Sequence, residues 1–244
     1  GLAGEADQKA YLGAMMADFD PADQLPGVPE ATDRILRAVA DGERIAIYGD
    51  YDVDGVTSTA ILMRTLRAIE PTVQVESYIP HRLDEGYGLN VEALESLHAS
   101  GVDLVITVDC GVAAVAEIAR ATEIGLELII TDHHPLGEHP IPKVAAVVHP
   151  GLPGSAYEWP ILSGSAVAWK LSRHLLSQHE GTDAPGPRTR ELLKNTLCMA
   201  GMGVIADVVP LIGENRRIAA KALHLMKRCS LAGVQAMLIE CLKK

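Results

Sequence analysis

The sequence predicts an α/β fold: a doubly wound, mainly parallel five-stranded sheet flanked by helices, followed by a helical C-terminal segment. Three observations carry this. Five short apolar runs rich in β-branched residues alternate with stretches of helical period, the pattern of parallel strands joined by right-handed crossovers. The 244 residues are 48% hydrophobic but only 4% aromatic, which suits an Ala/Val/Ile/Leu interior rather than a β-sandwich. After about Ser163 the strand pattern stops and helical periods take over.

In chain order, residues 1–27 are polar and then punctuated by Asp20-Pro21 and Leu25-Pro26-Gly27, as in a short helix leading into a wrapping segment. The spacing of Ile35, Leu36 and Val39 predicts a helix over 29–41, stopped at Gly42. Strands are predicted over 44–49, 73–79, 104–109, 126–132 and 144–149, with helices over 56–70, 91–100 and 112–123 between them. Helices follow over 164–179, 188–201, 215–228 and 231–243, with a Pro/Gly linker at 180–187. The chain therefore divides into a lead-in (1–27), an α/β core (28–160) and a helical segment (161–244) that completes the core. No internal repeat or low-complexity tract is visible.

A formal charge of −11 argues against a non-specific nucleic-acid binder, although clustered carboxylates around cations would inflate that figure. Cys110, Cys198, Cys229 and Cys241 have neither C-x-x-C spacing nor disulfide density, which fits a reducing, cytoplasmic setting. No apolar run reaches membrane-span length and no signal peptide is seen. The start at Gly1 rather than Met is expected of a trimmed chain or fragment.

The stretch 44–59, RIAIYGDYDVDGVTST, places Asp50, Asp52 and Asp54 between a strand and a helix. If extended, it would project all three to one side, about 6–7 Å apart per step. Three such carboxylates repel unless a hard divalent cation lies among them. Asp54 alone also fits the N-cap of a helix beginning near Val56. The D-x-D-x-D-G run matches half of an EF-hand, but the twelfth position is Ile61 rather than Glu and a strand, not a helix, precedes it. Calcium buffering is set aside.

Register says more than any single motif. Asp50, Asp109 and Asp132-His133-His134 each end a predicted strand, and strand C-termini share the ligand-binding edge of a doubly wound sheet. Taken singly, Asp109 could cap the helix near Val112 and His133 could be an ordinary surface histidine. Asp207 is an acidic residue in the apolar run GMGVIADVVPLIGEN, so it is either partnered or facing a cation.

These residues together resemble the DHH phosphoesterase superfamily, and within it the RecJ-type single-stranded-DNA exonucleases. The resemblance covers most of the chain: GDYDVDGVTSTAIL (49–62), YIPHRLDEGYGLN (78–90), VDCGV (108–112), TDHHPLG (131–137), LSGSAVAWKL (162–171) and MGVIADVVPL (202–211). It implies two Mn²⁺ or Mg²⁺ ions held by Asp52, Asp54, a bridging Asp109, His133 and Asp207. It also implies that Asp132 orients the histidines and that His134 reaches a substrate phosphate. Two departures stand out. Tyr48 occupies a position where the broader superfamily has His, a change RecJ-type sequences share, with Asp50 as the replacement ligand. Nothing after Asp207 resembles the Gly-rich, His-containing substrate motif of the superfamily's further domain, as expected of a catalytic core cut from a longer enzyme or one with another means of substrate grip.

The chemistry this suits is metal-assisted phosphodiester hydrolysis, in which two cations about 3.5–4 Å apart activate a shared water and neutralise phosphate charge. A carboxylate and imidazole donor set accommodates manganese as well as magnesium. Asp109, Asp132 and His134 are the candidate catalytic groups. Arg82 is a candidate phosphate anchor, with a salt bridge to Asp84 or Glu85 as its ordinary alternative. Tyr87 is a candidate base-stacking residue, with packing over a glycine turn as its alternative, and Gly86 and Gly88 leave room for backbone approach. Cys110 is expected to pack. The favoured function is a 5′→3′ exonuclease on single-stranded DNA, releasing mononucleotides in repair and recombination. A small-nucleotide or oligonucleotide phosphodiesterase and an inactive replication scaffold are the alternatives. The expected molecule is a monomer, without membrane association, that works beside repair or replication proteins.

Overall fold

A computed structural model describes residues 4–14, 18–138, 140–141 and 143–242. The end of the last predicted helix, Lys243, lies outside the described residues, as does part of the lead-in segment. Five strands, β1 (Ile45–Tyr48), β2 (Val75–Tyr78), β3 (Leu104–Val108), β4 (Glu127–Thr131) and β5 (Ala146–Val148), form one sheet in the order β2-β1-β3-β4-β5. Every pairing is parallel. Each strand falls inside its predicted span.

The helices are α1 (Glu5–Leu12), α2 (Val28–Asp41), α3 (Val53–Ile69), α4 (Val91–Ala99), α5 (Val115–Ile124), α6 (Gly164–Glu180), α7 (Pro187–Ala206), α8 (Gly213–Met226) and α9 (Ala232–Leu242). Alternation of strand side chains divides the interior into two layers. Ile45, Ile47, Ile106, Val108 and Ile129 face α2, α3 and α6 through Ile35, Leu62, Leu66 and Leu171. Ala46, Tyr48, Val105 and Ile130 face α4 and α5 through Leu94, Leu97, Ile118 and Ala121. Each fully buried Ile or Leu here contributes about 1.5–3 kcal/mol. The first layer continues without a break through α7 and α8, by way of Leu197, Val204, Ile218 and Ala222.

Because β2 and β3 flank β1, the connections leave β1 and β3 in opposite directions, α3 on one face and α5 on the other. The carboxyl ends of β1 and β3 therefore bound a crevice, where ligands bind in sheets of this kind.

Three local expectations are corrected. The segment after β1 is not extended, because α3 already begins at Val53. Its N-cap is Asp52, whose Oδ1 accepts from the Gly55 amide at 2.9 Å, and Asp54 lies within the first turn. Hence Asp54 is not the cap. The helix predicted from Val112 starts at Val115, since the Val112 amide is taken by the Asp132 carboxylate. Finally, α7 runs five residues past its predicted end at 201, to Ala206, so Asp207 terminates a helix.

Candidate metal centre

Each functional side chain is delivered by the end of an element. Asp50 follows β1, Asp52 and Asp54 open α3, and Asp109 follows β3. Asp132, His133 and His134 follow β4, and Asp207 closes α7. Asp109 has φ +62°, a left-handed conformation that Asp and Asn tolerate better than most residues. Its amide still donates to the Thr131 carbonyl at 3.0 Å, so the turn re-aims the side chain without losing the sheet register.

Nε2 of His133 is 3.0 Å from Asp109 Oδ1, 3.7 Å from Asp207 Oδ2 and 3.8 Å from Asp54 Oδ2. Three donor sets converge within 4.8 Å: Asp54, His133 and Asp207; Asp50, Asp52 and Asp109; and Asp109, His133 and His134. Asp109 and His133 each belong to two sets, so the sets form one continuous centre. Asp50 Oδ1, Asp109 Oδ1, His133 Nε2 and Asp207 Oδ2 are all buried without a hydrogen-bond partner. Such an atom costs about 1–3 kcal/mol when left unpaired, and four in one cluster are the mark of a cation site. The hard oxygens and the imidazole fit divalent metal.

The electrostatics agree. Burial raises the carboxyls of Asp50, Asp109 and Asp207, and neighbouring Asp54 and Asp52 raise Asp109 further. Burial alone would lower His133, but Asp109, Asp54 and Asp207 outweigh it and raise the imidazole. Asp207 also sits at the negative end of α7, where an anion is disfavoured unless a cation accompanies it.

Asp132 behaves differently. It accepts from the amides of Val112 (2.9 Å), His133 (2.7 Å) and His134 (3.1 Å), and its Oδ1 is 2.8 Å from His134 Nδ1. Burial would raise its pKa, yet these bonds hold it below the usual value. The same contact raises His134, whose half-exposed ring faces solvent. Buried His149 donates from Nε2 to the His134 carbonyl at 2.8 Å and accepts from the Gly151 amide at Nδ1, which fixes its tautomer.

All the predicted acidic and imidazole groups meet here. Arg82 lies over the Tyr51 ring, 5.0 Å from its centroid. The salt bridges proposed as its alternative do not form, because Asp84 pairs with His81 and Glu85 accepts from Tyr78 and the His81 amide. The Tyr87 hydroxyl is 3.1 Å from His134 Nε2 and 3.4 Å from the Asp109 carbonyl. Gly86 and Gly88 beside it have φ +80° and +83°. Tyr48, at the position of the superfamily histidine, donates to the Gly88 carbonyl and so ties that loop down. Cys110 is buried packing. Sequence reasoning missed Tyr51, His149, Gly164, Ser165 and Gly203. Only Ser163-Gly164-Ser165 ahead of a helix carried a visible signal, as a capping sequence.

A parallel doubly wound sheet with carboxylates and imidazoles gathered at its switch crevice defines a metal-binding α/β domain. The chain belongs to the DHH family: the model of that family's N-terminal domain matches residues 44–202. Over 230 residues the chain is 43% identical to the single-stranded-DNA-specific exonuclease RecJ of Bacillus subtilis, spanning 94% of this chain and 27% of that protein. A crystal structure of exonuclease RecJ bound to manganese superposes with a TM-score of 0.74 and 39% identity, over 87% of this chain and 51% of that one. RecJ of Thermus thermophilus in complex with Mn²⁺ gives 0.70 and 35%, over 87% and 29%. The chain thus spans under a third of the Bacillus protein's length. No helix among the described residues is long and apolar enough to cross a membrane.

Proposed function

We propose that this chain is the catalytic core of a metal-dependent phosphodiesterase that degrades single-stranded DNA in the 5′→3′ direction to mononucleotides, in DNA repair and recombination. The observation that carries the reading is the set of four unpartnered buried atoms on Asp50, Asp109, His133 and Asp207, residues whose overlapping donor sets form one centre. Manganese or magnesium would be held by Asp50, Asp52, Asp54, Asp109, His133 and Asp207, with Asp109 shared between two ions. Bound there, the metal supplies an activated water and neutralises phosphate charge. Similarity to proteins named as single-stranded-DNA-specific exonucleases supports the substrate assigned.

The chain's own residues supply the rest. Asp132 fixes the His134 ring and favours its cationic form, a donor suited to a phosphate oxygen. Tyr87 steadies that ring through its hydroxyl, 3.1 Å from Nε2 and 3.2 Å from Nδ1, and offers an aromatic surface to a base. Arg82, which forms no salt bridge among the described residues but whose charge acts on Asp50, offers a planar fork to a phosphate at the centre. The α/β part (28–160) and the helical part (161–244) act as one unit, since α7 brings Asp207 to the centre.

The test is degradation of single strands labelled at the 5′ or the 3′ end, of duplex and of a dinucleotide, with Mn²⁺ and with EDTA. Mononucleotides from the 5′ end of the single strand alone are expected. Preferential cleavage of the dinucleotide would favour a small-substrate phosphodiesterase instead.

A further inference from the structure

We propose that Gly164 and Gly203 are positioning residues: with the first amides of α6, their missing side chains set the spacing of the Asp54 and Asp109 carboxylates. The proposal rests on the metal-centre reading above. Ser163 caps α6, its hydroxyl accepting from the Ala166 amide. The next two amides are left over, and Asp54 uses both. Gly164 N–H donates to Oδ2 at 2.6 Å, and Ser165 N–H donates to Oδ1 at 3.0 Å. A carboxylate held at both oxygens by rigid backbone donors cannot swing, so its remaining lone pairs keep one direction.

The glycines make this approach possible. A Cβ on Gly164 would lie 2.5 Å from Asp109 Oδ1 and 2.8 Å from Asp109 Cβ and Cγ. A Cβ on Gly203 would lie 2.2 Å from both Asp54 Oδ1 and Ser165 Oγ. Neither glycine has positive φ, so backbone conformation does not require either. Gly203 lies inside a helix, where Gly costs about 1 kcal/mol relative to Ala. What remains is space, at Gly164 for the Asp109 carboxylate and at Gly203 for the Asp54 carboxylate together with the Ser165 side chain. Gly203 also accepts from the Asp207 amide at 2.9 Å, which puts the Asp54 contact one turn from Asp207. Nearby Gly201 provides the contrast: its Cβ would meet Ala222 Cβ of α8 at 2.1 Å, an interhelical contact away from the carboxylates.

The test compares the wild type with Gly164→Ala, Gly203→Ala and Gly201→Ala, each melted without metal and titrated with Mn²⁺ by calorimetry and electron paramagnetic resonance. Gly164→Ala and Gly203→Ala are expected to weaken Mn²⁺ binding by about 10–100-fold and to change the bound-ion spectrum. Gly201→Ala is expected to lower the metal-free melting temperature and leave Mn²⁺ affinity unchanged. Should Gly203→Ala not fold, Gly164→Ala decides alone, because the three heavy atoms nearest its methyl group all belong to the Asp109 side chain. Wild-type Mn²⁺ affinity in Gly164→Ala, or equal weakening in Gly201→Ala and Gly203→Ala, overturns the proposal by itself. A wild-type protein that binds no Mn²⁺ overturns the metal reading and this proposal with it.

Discussion

Nε2 of His133 and Oδ1 of Asp109 stand 3.0 Å apart, yet both lack a hydrogen bond. Burial, with repulsion from Asp54 and Asp52, disfavours the Asp109 carboxylate by more than its attraction to His133 offsets. Removing its charge relieves the metal-free protein while it destroys the site. Asn also tolerates φ +62°, so Asp109→Asn keeps the turn. The variant is expected to melt about 2–4 °C above wild type without metal, the equivalent of about 1 kcal/mol, and to lose hydrolysis and Mn²⁺-induced stabilisation. Thermal melts with and without Mn²⁺ check this. A lower metal-free melting temperature, or wild-type turnover, counts against a shared ligand at Asp109.

Stripping the metal is the reciprocal experiment. Binding restricted to the folded state stabilises by about 2.7 kcal/mol when free metal is a hundredfold above Kd. For a chain of this size that is about 5–10 °C. EDTA is thus expected to lower the melting temperature by that amount and to end hydrolysis, with both restored by Mn²⁺. A melting curve indifferent to EDTA and Mn²⁺ would leave the four unpartnered atoms without their explanation.

Asp132, equally buried, is predicted to respond with the opposite sign. Its carboxylate receives three amides and the His134 ring. Asp132→Ala strands these donors, at about 1–3 kcal/mol for each one left buried and unpaired, and is expected to lower stability as well as kcat. Denaturant unfolding distinguishes it from Asp109→Asn. Equal and opposite shifts are not required, but a stabilising Asp132→Ala would show that the network is not satisfied as described.

The sequence made the strands legible because β-branched runs buried on both faces leave an unmistakable pattern, as in LVITV and ELIIT. It also brought Asp50, Asp109 and His133 to one sheet edge, since parallel topology alone requires it. What stayed hidden depends on contacts across long separations. Gly164 and Ser165 reach Asp54 over 110 and 111 residues, and the local Ser-Gly-Ser signal marks a helix start but not the partner its amides bind. The error over capping had a local cause: Asp52 and Asp54 are the same residue type two positions apart, and only the actual start of α3 at Val53 decides between them.

Arg82 is exposed, lies over the Tyr51 ring and forms no salt bridge among the described residues, while its charge acts on Asp50 at the centre, a placement that suits it to a phosphate bound there. Arg82→Ala is expected to raise KM for single-stranded DNA about tenfold, the equivalent of about 1.4 kcal/mol, with Mn²⁺ affinity unaltered. Steady-state kinetics on a labelled single strand, read beside a Mn²⁺ titration, checks this. An unchanged KM would make the Tyr51 contact mere packing.

Behind the centre, Lys170 Nζ lies 2.8 Å from both oxygens of Glu214, with neither side chain exposed. The Tyr157 hydroxyl donates to the same carboxylate, and Lys170 also donates to the Asp20 carbonyl at 3.3 Å. Asp20 in turn accepts from Trp159 and Arg217, so the network joins the lead-in segment to α6 and α8. Burial presses the Lys170 ammonium below its ordinary pKa, and the Glu214 charge is what keeps it in place. Losing one member leaves the other buried and uncompensated: Lys170→Met is expected to cost about 3–5 kcal/mol. Lys170→Met combined with Glu214→Gln removes both charges while Gln still accepts from Tyr157, so the double variant is expected to recover most of that loss. Because the pair lies outside the metal centre, the folded fraction of either variant should bind Mn²⁺ as wild type does. Denaturant midpoints and a Mn²⁺ titration on the same samples test both halves, and a double variant no more stable than the single one would mean the pair is held by packing rather than by charge.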